Sequence, residues 1–254
     1  MVAFMSALLA VQAQAGLISE KFELQMGKDA AKEIESQYKV SANKQLTAEI
    51  AGIGKKLAAK CSRPGLPWQF KVLQTKDVNA VSVPGYVYVF TGLIDLVKKD
   101  KDALASVIGH EIGHTCGRHA AKTIEKQLTY SLAIQLLLKK GDPRKLGNIA
   151  ANLALLGYSR KDEYQADMFG VDYMYAAGYN PEGMIKFFEQ LKQKEGKNSG
   201  KGLEVYFRTH PPTADRISRV KDEITKLTTP QPTTPAAQPE LQPTPPVLPQ
   251  PQTN

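Results

Sequence analysis

The sequence predicts an α+β chain, mostly helical, with a small β-sheet whose edge strand lies beside the helix that follows it. Three observations lead there. Apolar residues recur at helical spacing over most of the stretch from Ser19 to Ile224. Alternating, extended patterning is confined to residues 68–91. Directly after it stands His110-Glu111-Ile112-Gly113-His114, whose apolar neighbours Ala103, Leu104 and Val107 fall on the histidine face of one helix.

The 254 residues are enough for one large domain or two small ones, and a hydrophobic fraction of 42% supports a real core. The net charge of +8 comes from scattered basic residues, with no block interleaved with aromatics. That pattern disfavours nucleic-acid binding and suits contact with anionic lipid or envelope polymers. Two cysteines, Cys61 and Cys116, are too few for a disulfide scaffold. Whether they pair with each other stays open.

Residues 1–15 are apolar and end Ala13-Gln14-Ala15, as at a signal-peptidase site, although no Lys or Arg precedes the apolar run. This predicts an exported chain, in the periplasm or cell envelope or secreted. The start then lies upstream or the signal is atypical; a buried N-terminal helix is the alternative. No cysteine follows the cleavage point to carry a lipoprotein anchor there. The folded domain is expected over residues 16–228.

An amphipathic helix is expected from about Ser19 to Tyr38. A second runs from about Thr47 to Lys60, with Ile50, Ile53, Leu57 and Ala58 on one face. Arg63-Pro64-Gly65-Leu66-Pro67 ends it. Trp68 to Gln74, Asn79 to Val83 and Tyr86 to Thr91 read as strands, the last two joined through Pro84-Gly85. Proline there suggests an edge strand or a bulge, and an exposed edge along Asn79, Val81 and Val83 could add an extended peptide as a further strand.

The motif helix, capped by Asp100 or Asp102, ends near Cys116-Gly117. Tyr130 to Leu138 and Leu146 to Leu156 form a helical hairpin, each arm shorter than the roughly 20 residues that span a bilayer. Ser159 to Ala177 is a helix with Glu163, Ala166, Asp167, Gly170 and Met174 on one face and Gln165 opposite. Pro181 opens another helix. After a turn over Gly196 to Gly202, Thr213 caps a last one carrying Ile217, Val220 and Ile224. From Thr229 onward the chain holds 9 of its 16 prolines and no basic residue, so residues 229–254 are expected to be a disordered tail.

Histidines four apart on a helix reach one metal ion, and Glu111, about 100° round, can hold a metal-bound water without ligating. A third ligand is needed. His119 would lie about 180° from His110 on a continued helix, facing away, and enters only if the helix stops at Gly117. Glu163 is the better candidate, an inward acid whose burial needs a compensating cation. Asp167, one turn on, can accept the free ring N–H of a ligating histidine. A buried salt bridge from either acid to Arg160 or Arg216 is the alternative.

His110-Glu111-Ile112-Gly113-His114 together with Ser159-Arg160-Lys161-Asp162-Glu163-Tyr164-Gln165-Ala166-Asp167 resembles the paired signature of the CAAX-prenyl-protease and HtpX-like family of zinc metallopeptidases. Asn79 to Pro84 and Gly85 to Leu93 resemble the family's strand region. Thr209-His210-Pro211-Pro212 with Arg216 resembles its late His-Pro loop. The resemblance implies a zincin-like fold and a zinc metalloendopeptidase acting on polypeptides, among them misfolded envelope proteins. It implies one zinc per chain on His110, His114 and Glu163. Glu111 is then the catalytic base, and Asp167 supports the ligands. His210 is the candidate to stabilise the oxyanion, with Arg216 orienting its loop. His210 could instead occupy the open zinc position and hold the enzyme inactive. The family's integral-membrane members carry transmembrane helices, which this sequence does not show, so the exported branch is implied. Members of the exported branch often carry repeats with a period near 34 residues, not seen here. A catalytically latent chaperone or adaptor is the rival reading.

Overall fold

A computed structural model describes residues 18–98, 100–127, 157–196, 202–210 and 215–229. The expected signal sequence, the helical hairpin, Thr213 and the proline-rich tail beyond residue 229 lie outside the described residues. No helix among the described residues is long and apolar enough to cross a membrane.

Helix α1, Glu20–Gln37, starts at Ser19, whose hydroxyl accepts from the Phe22 N–H at 3.3 Å, and buries Met26, Ala30, Ala31 and Ile34. Helix α2, Lys44–Ala58, begins three residues before the expected Thr47. The cause is Asn43, whose Oδ1 accepts from the Leu46 N–H at 3.0 Å.

Strands β1 (Gln69–Leu73), β2 (Ala80–Val83) and β3 (Tyr86–Phe90) form one sheet in the order β1-β3-β2. β3 runs parallel to β1 and antiparallel to β2. Pro84 sits in the two-residue turn between β2 and β3, where Gly85 takes φ 89°. This is the proline-then-glycine pattern of a type II turn, so no bulge is needed.

Side chains alternate across the sheet and feed two cores. Phe70, Val72, Ala80, Val87 and Val89 pack with Ile50, Ile53 and Leu57 of α2. Leu73, Val81, Val83, Tyr88 and Phe90 pack with α1 and with Ala120, Ala121 and Ile124. The sheet is therefore covered on both faces, which is why all four residues of its edge strand β2 are buried.

The expected third strand stops at Phe90, and helix α3, Thr91–Leu96, follows at once. The Thr91 hydroxyl donates to the Thr75 carbonyl at 2.7 Å and turns the chain there. Helix α4, Lys101–Cys116, carries the histidine motif. Asp100 caps it, accepting from the Asp102 and Ala103 N–H groups at 2.9 and 3.1 Å. Every residue from Ala103 to Cys116 is buried, so α4 is the axis of the domain. Residues 119–127 are also helical.

Helix α5, Arg160–Ala176, begins in a capping box between Ser159 and Asp162. It lies against α4 through glycines. A Cβ on Gly113 would meet the Ala166 carbonyl at 2.8 Å, and one on Gly109 would meet Gly170 at 3.2 Å. This close approach puts the acids of α5 over the histidines of α4. Helices α6 (Glu182–Gly196), α7 (Glu204–Thr209) and α8 (Arg216–Thr228) close that side. Asp215 precedes α8 without a side-chain cap, and the short helix α7 carries no apolar period in the sequence to reveal it.

Candidate metal centre

All four histidines of the chain meet in one buried place. Helical spacing on α4 brings His110 and His114 together, their Nε2 atoms 2.9 Å apart. Glu163, on the face of α5 pressed against α4, puts Oε1 3.3 Å from His114 Nε2 and Oε2 3.6 Å from His110 Nε2. His210 follows the last residue of α7, its N–H donating to the Tyr206 carbonyl at 2.7 Å. Its Nδ1 lies 3.3 Å from both His110 Nε2 and Glu163 Oε1. One ligand atom from each of His110, His114, Glu163 and His210 lies within 4.8 Å of the other three. Glu111 is buried beside them, its Oε1 3.4 Å from His210 Nε2.

Protons decide what this cluster can hold. His110 Nδ1 sits 2.8 Å from the Asp167 carboxylate, which can only accept, so Nδ1 carries the hydrogen and Nε2 presents a lone pair. His114 Nδ1 is engaged by His119 Nδ1 at 2.9 Å, leaving His114 Nε2 to face inward. Two imidazole nitrogens and a carboxylate thus converge on one place. Glu163 Oε2 has no hydrogen bond of good geometry, although Arg216 Nη1 is 3.1 Å away. A divalent cation would engage these groups together, and this nitrogen-and-oxygen set suits zinc.

The charges around the cluster follow from burial and neighbours. Burial would raise the Glu163 pKa, but His210, His114 and His110 outweigh it and hold the carboxyl well below its usual range. Burial likewise would raise Asp167, and the Arg216 guanidinium overcomes it. Burial, with His110 alongside, pushes His114 well below its usual value and favours its neutral form. His210 moves the other way: Glu163 and Glu111 outweigh the burial that would lower it.

Arg216 at the start of α8 donates from Nε and Nη2 to the two oxygens of Asp167, both at 2.7 Å. The salt bridge that was the alternative to a metal is therefore present together with the histidine cluster, and its arginine is Arg216.

The helix ends where the sequence expected, at Cys116-Gly117, which is the condition under which His119 can turn toward the other histidines. Gly117 caps it, and Arg118 takes φ 55°, which swings His119 back onto His114. Gln165, expected on the far face of α5, reaches His119 Nε2 at 3.0 Å. Sequence reasoning also missed Tyr158, whose ring stacks on His114 with centroids 4.0 Å apart. Nothing in the residues before α5 signals that contact.

The strand residues expected to bind substrate are all buried. Val81 and Val83 point into the core under α1, and the Asn79 carbonyl accepts from the Phe90 N–H at 3.1 Å. Ser82 and Pro84 line one small cavity with His114 and Tyr158, so β2 runs beside the cluster. Cys61 and Cys116 are both free and buried, in mutual contact at the end of α4.

Residues 44–224 match the model of peptidase family M48. The chain belongs to peptidase family M48. Within curated M48 proteins it is 36% identical over 155 residues to the mitochondrial metalloendopeptidase OMA1 of Arabidopsis thaliana, covering 61% of this chain and 31% of that one. It is 28% identical over 220 residues to the metalloprotease LoiP of Escherichia coli, covering 83% of this chain and 84% of LoiP. The β-barrel assembly-enhancing protease of Escherichia coli is 24% identical over 217 residues, covering 81% of this chain and 44% of that protein. The chain thus spans less than half the length of two of these three relatives.

Proposed function

We propose that the chain is a zinc-dependent endopeptidase of the M48 family that hydrolyses polypeptides. The observation that carries this is the convergence of His110, His114 and Glu163 donors beside the buried carboxylate of Glu111. In this reading those three hold one zinc, and Asp167 and Arg216 fix the orientation of His110. Zinc, when bound, polarises the scissile carbonyl and lowers the pKa of a water toward neutrality. Glu111 takes the proton of the attacking water and passes it to the leaving amine. The outer edge of β2, which no strand among the described residues pairs, aligns the substrate along Asn79, Val81 and Val83 through backbone hydrogen bonds.

His210 has two readings, and the cluster favours one. As a fourth donor it fills the position that a substrate carbonyl needs, so it holds the enzyme latent until it moves aside. The other reading keeps His210 as oxyanion donor in the working enzyme. Casein cleavage by the purified chain, with and without chelator and in His210→Ala, separates them. Chelation abolishes cleavage and added zinc restores it. If His210 blocks the site in about nine of ten molecules, His210→Ala raises the rate roughly tenfold. A drop in rate instead assigns His210 to the oxyanion.

An exported location, in periplasm or envelope, and a role in envelope protein quality control extend the proposal. The residues 1–15 pattern and the relative whose name gives β-barrel assembly support both. Domain limits of 16–228 with a tail from 229 are part of the same reading, as is peripheral contact of the basic surface with anionic lipid.

A further inference from the structure

The proposed ligands, the base and His210 leave one buried histidine without a role. His119 is fully buried and touches no reacting group. The backbone goes out of its way to place it. Arg118 adopts a left-handed φ of 55°, which a non-glycine residue rarely does. The Glu23 carboxylate holds the Arg118 Nε at 2.9 Å, and Arg118 also donates to the Ile18 carbonyl. A Cβ at Gly117 would collide with the His119 ring, so glycine at 117 clears the space His119 occupies.

We infer that His119 is a positioning residue that fixes the tautomer of His114, in a proton chain that ends on Gln165. The inference rests on the zinc reading of the site. His114 must give its Nε2 lone pair to the metal, so its Nδ1 must carry the hydrogen and donate. The acceptor at 2.9 Å is His119 Nδ1. His119 can accept there only if its own hydrogen is on Nε2, and that nitrogen lies 3.0 Å from Gln165 Oε1, with Asp162 Oδ1 further off at 3.8 Å. Each hydrogen in the chain then has one donor and one acceptor. The two ligand histidines are thereby oriented differently. His110 leans on a carboxylate neutralised by Arg216, while His114 leans on a neutral ring held by an amide at the rim.

Zinc affinity, measured by competition with a chromogenic chelator, tests this without reference to activity. His119→Leu keeps the volume and removes the acceptor, and it weakens zinc binding by about 10- to 100-fold. His119→Gln restores an acceptor oxygen and recovers most of that loss, which a role in packing alone would not do. Gln165→Leu, at an exposed position where folding is not at stake, weakens binding roughly a few-fold because water partly replaces the amide. The inference is overturned if His119→Leu and His119→Gln lose affinity equally, or if Gln165→Leu binds zinc as the wild type does. Should His119→Leu fail to fold, Gln165→Leu decides alone. A wild-type chain that takes up no zinc overturns the zinc reading of the site instead.

Discussion

Glu111→Gln is expected to keep its zinc and lose peptide cleavage, by about 10²- to 10⁴-fold, the range that a positioned acid–base group contributes. The side chain is buried beside the ligand cluster, and glutamine matches its shape. Glutamine cannot take a proton from water or return one to an amine, so the chemistry stops while the site stays assembled. The ligands His110, His114 and Glu163 are untouched, so metal content should not fall. The same variant separates an enzyme from an adaptor. A chain that works as a latent chaperone keeps its function with Gln at 111. An enzyme does not. Cleavage of casein by Glu111→Gln at the wild-type rate would remove Glu111 from the mechanism.

Arg216→Met is expected to destabilise the metal-free fold by about 3–5 kcal/mol, measured by urea unfolding in chelator. Arg216 is buried, makes both hydrogen bonds to Asp167 and lies against Glu163 as well. Methionine fills the space but leaves two buried carboxylates without their cation. Zinc supplies part of the missing positive charge, so the deficit shrinks when zinc is added. Arg216→Lys recovers little, because an ammonium cannot bond both Asp167 oxygens and reach Glu163 from one fixed plane. Unfolding of Arg216→Met at the wild-type midpoint, with and without zinc, would show that the acids are compensated in some other way.

The parts of the site legible in the sequence are those that a regular helix dictates. The spacing of His110 and His114, the flank of Glu111 and the shared face of Glu163 and Asp167 all follow from about 100° per residue. Capping chemistry placed the start of α4, and the alternation of β1 to β3 placed the sheet. What the sequence hid depends on breaks and on contacts across the fold. The place of His119 was left conditional because it depends on how the chain leaves the helix, where Arg118, held by Glu23 from α1, turns it. Gln165 follows from that same turn. Helices α3 and α7 are one or two turns each, set by contacts such as Thr91 with Thr75 and too short for a period to register. The glycine crossing of α4 and α5 could be seen only once Gly109, Gly113 and Gly170 faced one another. The direction in which His210 points depends on α7 and was open for the same reason.

The most direct measurement is the metal content of the purified chain, wild type beside Glu163→Ala. The account predicts one zinc per wild-type chain and a loss of that zinc when the carboxylate on α5 is removed. No metal in the wild type, or full occupancy in Glu163→Ala, would contradict the assignment of His110, His114 and Glu163 as the zinc site.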